Sequence, residues 1–157
     1  MQNLKIVAGS LVVALFSVAC FGQAPFDFDK AEYLKPAAEG SKKGETVGGI
    51  LRFDPAKKQV QFVEKEKKDN PAVSIPYDSI KSLLYEKTSK PRYAAGLLLA
   101  WPLLFTKSKK HYLTIQYTDS AGAGQFVIIH LDKSNFREAL ARVESETGKK
   151  VERSEEH

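Results

Sequence analysis

The sequence predicts a mainly β fold of the α+β kind, with six to seven antiparallel strands closed by one C-terminal helix. Three observations predict it. Apolar and polar residues alternate from Glu45 onward; Asp, Asn, Gly and Pro punctuate the alternating runs; and helical spacing takes over only at Phe136, Leu140 and Val143. At 157 residues, 27% charged and 43% hydrophobic, the chain suits a single domain and excludes a multidomain enzyme.

Residues 1–22 read as a secretory signal peptide. Lys5 gives the n-region its charge, and Ile6 to Ala19 is apolar apart from two serines and a glycine. At about 14 residues this run is shorter than the ~20 that a helix needs to cross a hydrocarbon core. Ser17-Val18-Ala19-Cys20 resembles a bacterial lipobox, with Ser17 where that pattern prefers Leu. Two processing routes stay open: cleavage by ordinary signal peptidase after Ala19 or Gly22, and lipidation of Cys20. Either route predicts an exported protein, periplasmic, envelope-bound or secreted.

Residues 23–44 mix Pro25, Pro36, Gly40 and Gly44 with charges, which predicts a flexible or extended lead-in, with Phe26, Phe28, Tyr33 and Leu34 available to dock. From Glu45, Val47, Gly49, Leu51 and Phe53 fall on one face of a strand. Asp54 to Lys57 turn the chain back into a second strand carrying Val60 and Phe62. The charged run 64–70 is a solvated turn. Ala72 to Tyr77 forms a third strand, which Pro76 suits to an edge. Asp78 and Ser79 turn into a fourth strand over Ile80 to Glu86. His111 to Thr118 and Gln125 to Leu131 are two further strands joined by a Gly-rich hairpin loop. A helix follows, with Asp132 or Ser134 as N-cap and Gly148 as its stop, and 149–157 reads as a charged, frayed tail.

The phrases Gly49-Ile50-Leu51-Arg52-Phe53 and Val60-Gln61-Phe62, Ile75-Pro76-Tyr77-Asp78-Ser79-Ile80, His111-Tyr112-Leu113-Thr114-Ile115 and Phe126-Val127-Ile128-Ile129, followed by the closing helix, come in a characteristic order. Over 45–148 that order resembles the pleckstrin-homology-like (PH-like) superfold, in particular GRAM-type and bacterial PH-like domains. The resemblance implies a split barrel plugged by Phe136, Leu140 and Val143. It also implies a non-catalytic module that binds lipid headgroups or peptides. Phosphoinositide-binding members carry a basic cluster on the first hairpin; Arg52, Lys57 and Lys58 do not complete that pattern, so no phosphoinositide site is assigned.

The anomaly is an apolar loop at 93–105, from Tyr93 to Phe105, without a single charge. A tight hairpin needs only about two to five residues, a membrane span needs more than this loop provides, and Pro102 interrupts a continuous helix. Lys87, Lys90 and Arg92 precede the loop, and Lys107, Lys109 and Lys110 follow it. An apolar tip with Trp and Tyr between basic shoulders matches a segment that enters a membrane interface. On that reading Leu97, Leu98, Leu99, Trp101, Leu103, Leu104 and Phe105 insert, while Lys90, Arg92, Lys107, Lys109 and Lys110 meet anionic headgroups. The same composition also fits a partner or homo-oligomer interface, or a segment folded back as core.

No catalytic motif is present: the sequence lacks Gly-x-Ser-x-Gly, a Walker loop, His-Glu-x-x-His and the dinucleotide fingerprint. A single cysteine excludes an internal disulfide and a Cys-based zinc site. His111 and His130 lie on neighbouring strands, where a metal-binding pair and two structural histidines are the alternatives, the second favoured. Asp54, Asp78, Asp119 and Asp132 sit at turns and caps, where carboxylates bond local backbone. The net charge of +5 is spread along the chain without a basic face interleaved with aromatics, which argues against nucleic acid. The expectation is an exported, non-catalytic module without metal or cofactor that meets a membrane surface or an envelope protein. The alternative is a soluble interaction or self-assembly domain using the same loop.

Overall fold

A computed structural model describes residues 23–36, 44–67, 70–93 and 108–155. The strands are β1 (Phe26–Lys35), β2 (Glu45–Asp54), β3 (Gln59–Glu64), β4 (Val73–Pro76), β5 (Ile80–Thr88), β6 (Lys110–Thr118), β7 (Gly124–Leu131) and β8 (Val151–Glu155). A 3-10 turn at Tyr77–Ser79 links β4 to β5, and the helix α1 (Phe136–Thr147) lies between β7 and β8. All eight strands belong to one open mixed sheet, in the order β4-β3-β2-β1-β7-β6-β5-β8. Among the described residues, only the β5–β8 ladder is parallel.

The predicted order of strands, hairpins and helix stands, with additions at both ends. Residues 23–44 were expected as a lead-in, yet β1 pairs with β2 from Phe26↔Phe53 to Lys35↔Glu45 and occupies the middle of the sheet. Its alternation is broken by a register irregularity between Phe28 and Ala31, where Lys30 adopts a left-handed φ of 62°. Inward positions therefore change parity along the strand, from Phe28 to Ala31 and Tyr33, all three buried.

The frayed tail is likewise corrected. Gly148, at φ 67°, ends α1 in the left-handed conformation that favours glycine. The chain reverses there, Glu144 Oε1 accepts the Val151 N–H at 2.8 Å, and β8 is laid along β5 from Leu83↔Val151 onward. The expected N-caps also differ: Asn135 precedes the helix, and Asp132 instead accepts bonds from the Ser134 N–H and hydroxyl in the turn before it.

One core fills the space between the sheet and α1. Leu51, Phe53, Val60, Phe62, Ile75, Leu83, Leu113, Ile115, Val127 and Ile129 supply the sheet side, and Ala139, Leu140 and Val143 the helix side. Gly49 faces this core beneath Phe62. A Cβ there would strike the Val63 carbonyl and come within 2.6 Å of the Phe62 ring. The opposite face of β5–β7 is also buried: Leu84, Thr114 and Ile128 form one cross-strand row there, and Thr114 is fully inaccessible. Tyr112 and Thr114 are therefore interior residues on that face. Among the described residues, no helix is long and apolar enough to cross a membrane.

Candidate functional site

The candidate site is the connection between β5 and β6. Thr88 pairs with Lys110 at the end of their antiparallel ladder, so residues 89–109 leave and re-enter the sheet at one place. Of that connection, 94–107 lies outside the described residues, and with it Leu97, Leu98, Leu99, Trp101, Leu103, Leu104, Phe105 and Lys107. Cys20 and the rest of 1–22 lie outside them too.

The outgoing shoulder is tightly specified. The Thr88 hydroxyl both donates to the Lys90 carbonyl and accepts the Lys90 N–H, at 3.1 Å each, which bends the chain as it leaves the strand. Pro91 is buried. Arg92 then returns over the sheet: its main-chain N–H donates to Glu86 Oε2 at 3.0 Å, its Nε to Glu86 Oε1 at 3.2 Å, and its Nη2 to Ser154 Oγ on β8 at 2.8 Å. Glu86 is buried, so the guanidinium supplies the positive charge that a carboxylate removed from water requires. Tyr93 carries the path further, its ring 5.5 Å from that of Phe126 on β7. Tyr93 is the one large hydrophobic side chain that stands exposed among the described residues. Beside it is a shallow groove of about 240 Å³ lined by Lys81, Gln116 and Phe126.

The basic flank thus divides by role. Arg92 is held against the protein by Glu86 and Ser154, while Lys90 and Lys109 are exposed and Lys110 is half-buried at the closing pair. Sequence reasoning did not reach Glu86, Ser154 or Phe126, because their connection to the loop exists only after the chain turns back. The one signal was an acidic residue at 86 inside an otherwise half-buried strand.

The histidines stand apart. His130 faces Tyr112 across the β6–β7 ladder and His111 faces Leu131, which puts the two imidazoles on opposite faces of the sheet. They do not converge on a metal, and no group of three or more metal-ligating side chains occurs among the described residues. His130 Nδ1 donates to Glu32 Oε2 at 2.8 Å, tying β7 to β1. Burial, and then the Glu32 carboxylate, push the Tyr112 hydroxyl up to about 12 by disfavouring its ionised form. His111 Nδ1 is hydrogen-bonded to the Tyr85 hydroxyl at 2.7 Å, and its ring stacks on Phe136 with centroids 3.9 Å apart. Burial lowers the His111 pKa, and Lys87, His130 and Arg137 lower it further, since each disfavours a second positive charge.

The turn carboxylates behave as their positions suggest. Asp54 accepts the Lys57 N–H, Asp119 accepts the Ala121 and Ala123 N–H groups and the Gln125 amide, and Asp132 is bonded to Ser134. Arg52 makes a two-pronged pair with Asp27 at 2.7 Å, and Lys57 lies 3.7 Å from Asp54. Of the cations Arg52, Lys57 and Lys58, two are therefore committed to carboxylates.

No family model matches the chain, and no curated protein matches it. The residues of the β5–β6 end must speak for themselves.

Proposed function

We propose that this chain is an exported, non-catalytic binding module of PH-like architecture that associates with the cell envelope through its β5–β6 connection. The observation that carries the reading is the Thr88↔Lys110 closing pair. It gathers both basic shoulders at one end of the sheet, with a charge-free run of sequence between them. An apolar segment presented between cations is the arrangement that partitions into an anionic membrane interface.

The strand order and the single helix directly after β7 support the PH-like arrangement, while β1 in the sheet centre and β8 after the helix extend the expected pattern. The non-catalytic reading is supported by what the polar groups do: His111 and His130 bond Tyr85 and Glu32, and the turn aspartates bond backbone.

Vesicle co-sedimentation of the chain beginning at Gln23 tests the proposal; every described residue is kept in it. Binding to anionic vesicles, weakened by salt and accompanied by a blue shift of Trp101 fluorescence, is the expected result. The double substitution Trp101→Glu with Leu104→Glu is expected to reduce partitioning by about tenfold or more. Equal binding by the double variant removes the insertion reading. Absence of vesicle binding together with a concentration-dependent mass, lost in the same double variant, moves the assignment to a self-association interface.

A further inference from the structure

The proposed contact surface has a second part, outside the β5–β6 connection. At the Thr88↔Lys110 end of the β5–β6 ladder, β6 continues into the His111↔Leu131 pair with β7. The chain then turns through Asp132 to Asn135, and the Asn135 amide donates to the Asp29 carbonyl of β1 at 2.9 Å. The end of β5, the start of β6, the β7–α1 junction and the irregular part of β1 therefore make one continuous rim.

Five cations sit on this rim: Lys87 on β5, Lys110 on β6, Lys133 and Arg137 around the helix start, and Lys30 at the left-handed position of β1. Lys30, Lys87, Lys133 and Arg137 are exposed. Among the described residues none of the five has a carboxylate within 4.0 Å, a property shared by Lys35, Lys65 and Lys150 elsewhere on the surface; what sets the five apart is their gathering on one rim. The carboxylates near this rim are Asp29, Asp132 and Glu138, together with Glu32 and Glu86, which are bonded to His130 and Arg92. Asp132 is already bonded to the Ser134 N–H and hydroxyl. The field at the middle of the rim reflects this excess, since Lys87 and Arg137 both act to keep His111 neutral and Asp132 alone is a carboxylate acting against them.

We infer that the rim formed by Lys30, Lys87, Lys110, Lys133 and Arg137 lies against an anionic lipid surface, so that the sheet meets the bilayer with the β5–β6 and β7–α1 ends down. The inference rests on the proposed envelope association and adds an orientation to it. Unpaired cations spread over a rim several strands wide suit a diffuse plane of headgroup charge, which rewards several loosely placed cations within a Debye length.

Charge reversal at the three rim positions outside β5 and β6 tests it. Lys30→Glu, Lys133→Glu and Arg137→Glu are combined in one chain. A control combines Lys35→Glu, Lys65→Glu and Lys150→Glu, which are exposed and lie at the opposite ends of their elements. Both variants change net charge by the same amount. With vesicles containing an anionic phospholipid, the rim variant is expected to lose about tenfold or more in partitioning and the control no more than about threefold. Equal losses, or none in the rim variant while the parent chain binds, overturn the orientation and leave envelope association standing. Failure of the parent chain to bind any vesicle overturns both. Should circular dichroism show the rim variant unfolded, the Lys30→Gln, Lys133→Gln, Arg137→Gln chain replaces it, with a loss of about threefold or more expected. Unchanged binding there has the same overturning force.

Discussion

The buried carboxylate of Glu86 receives the main-chain N–H and the guanidinium Nε of Arg92, six residues further along, at 3.0 and 3.2 Å. This pair lays Arg92 and Tyr93 on the face of the sheet turned away from the helix, with the Tyr93 ring against that of Phe126. A residue that reads in sequence as one more surface cation is the clasp of the outgoing shoulder.

Arg92→Ala leaves Glu86 with the backbone N–H alone. Stranding a buried acceptor costs roughly 1–3 kcal/mol, and the lower end applies because the Arg92 side chain is 64% exposed. The expected outcome is a loss of about 1 kcal/mol in chemical denaturation, or about 2–4 °C in Tm. Arg92→Ala combined with Glu86→Gln should recover most of it, because no buried charge is then left unpaired.

Acidification is expected to weaken the fold in two windows. Because the His111 pKa is lowered in the folded protein, the unfolded chain takes up the proton first. The stabilisation is therefore complete above the ordinary histidine value of about 6.5 and declines as pH falls from there toward the folded value. Asp119 and Asp132 have lowered pKa values, held down first by the Gln125 and Ser134 side chains, so their contribution is present above the ordinary carboxylate range and is lost at still lower pH. Denaturation midpoints measured from pH 7.5 to 5 should fall for the parent chain, and His111→Gln should flatten that window while leaving the acid limb in place.

Gly49→Ala is expected to destabilise by about 1–3 kcal/mol, because the added methyl must displace either the β3 backbone at Val63 or the Phe62 ring. The Phe62 ring is itself held by Tyr33 at a centroid distance of 5.5 Å. A urea titration that shows no change would mean the β2–β3 ladder yields at that point.

Ending the chain at Lys149 removes β8 and with it Val151, which is buried, and the Arg92 contact to Ser154. It also bares the edge of β5. The expected result is a lower Tm and, in analytical ultracentrifugation, a mass that rises with concentration, as unpaired strand edges recruit one another. A monomer of unchanged Tm would mean that the edge is covered without β8.

Much of this architecture was legible from residue patterns. HYLTIQYT and QFVIIHL alternate cleanly and form β6 and β7, and the spacing of Leu140 and Val143 places both in the core with Gly148 ending the helix. Two strands were not legible, for different physical reasons. In β1 the irregularity at Lys30 shifts the alternation by one position, so Phe28 and Tyr33 never appear to share a face. In β8 the sequence VERSE is an edge strand with a single buried apolar residue, a pattern that charge alone assigns to solvent. At the candidate site, a charge-free run between cations can be read directly, while the partnership of Arg92 with Glu86 requires knowing that the chain doubles back.

The β1–β7 ladder consists of two register pairs, Glu32↔His130 and Tyr33↔Ile129, and joins β4-β3-β2-β1 to β7-β6-β5-β8. Glu32 and His130 are separated by 98 positions in the chain. A polypeptide that emerges N-terminus first holds β1 long before its second neighbour exists, so the early half waits with an unfilled edge in mid-sheet until nearly the whole sequence has been delivered. Assembly of the sheet is thus tied to delivery of β7, and a product stalled before Gly124 presents the Glu32–Tyr33 edge to whatever strand, or chaperone, reaches it first.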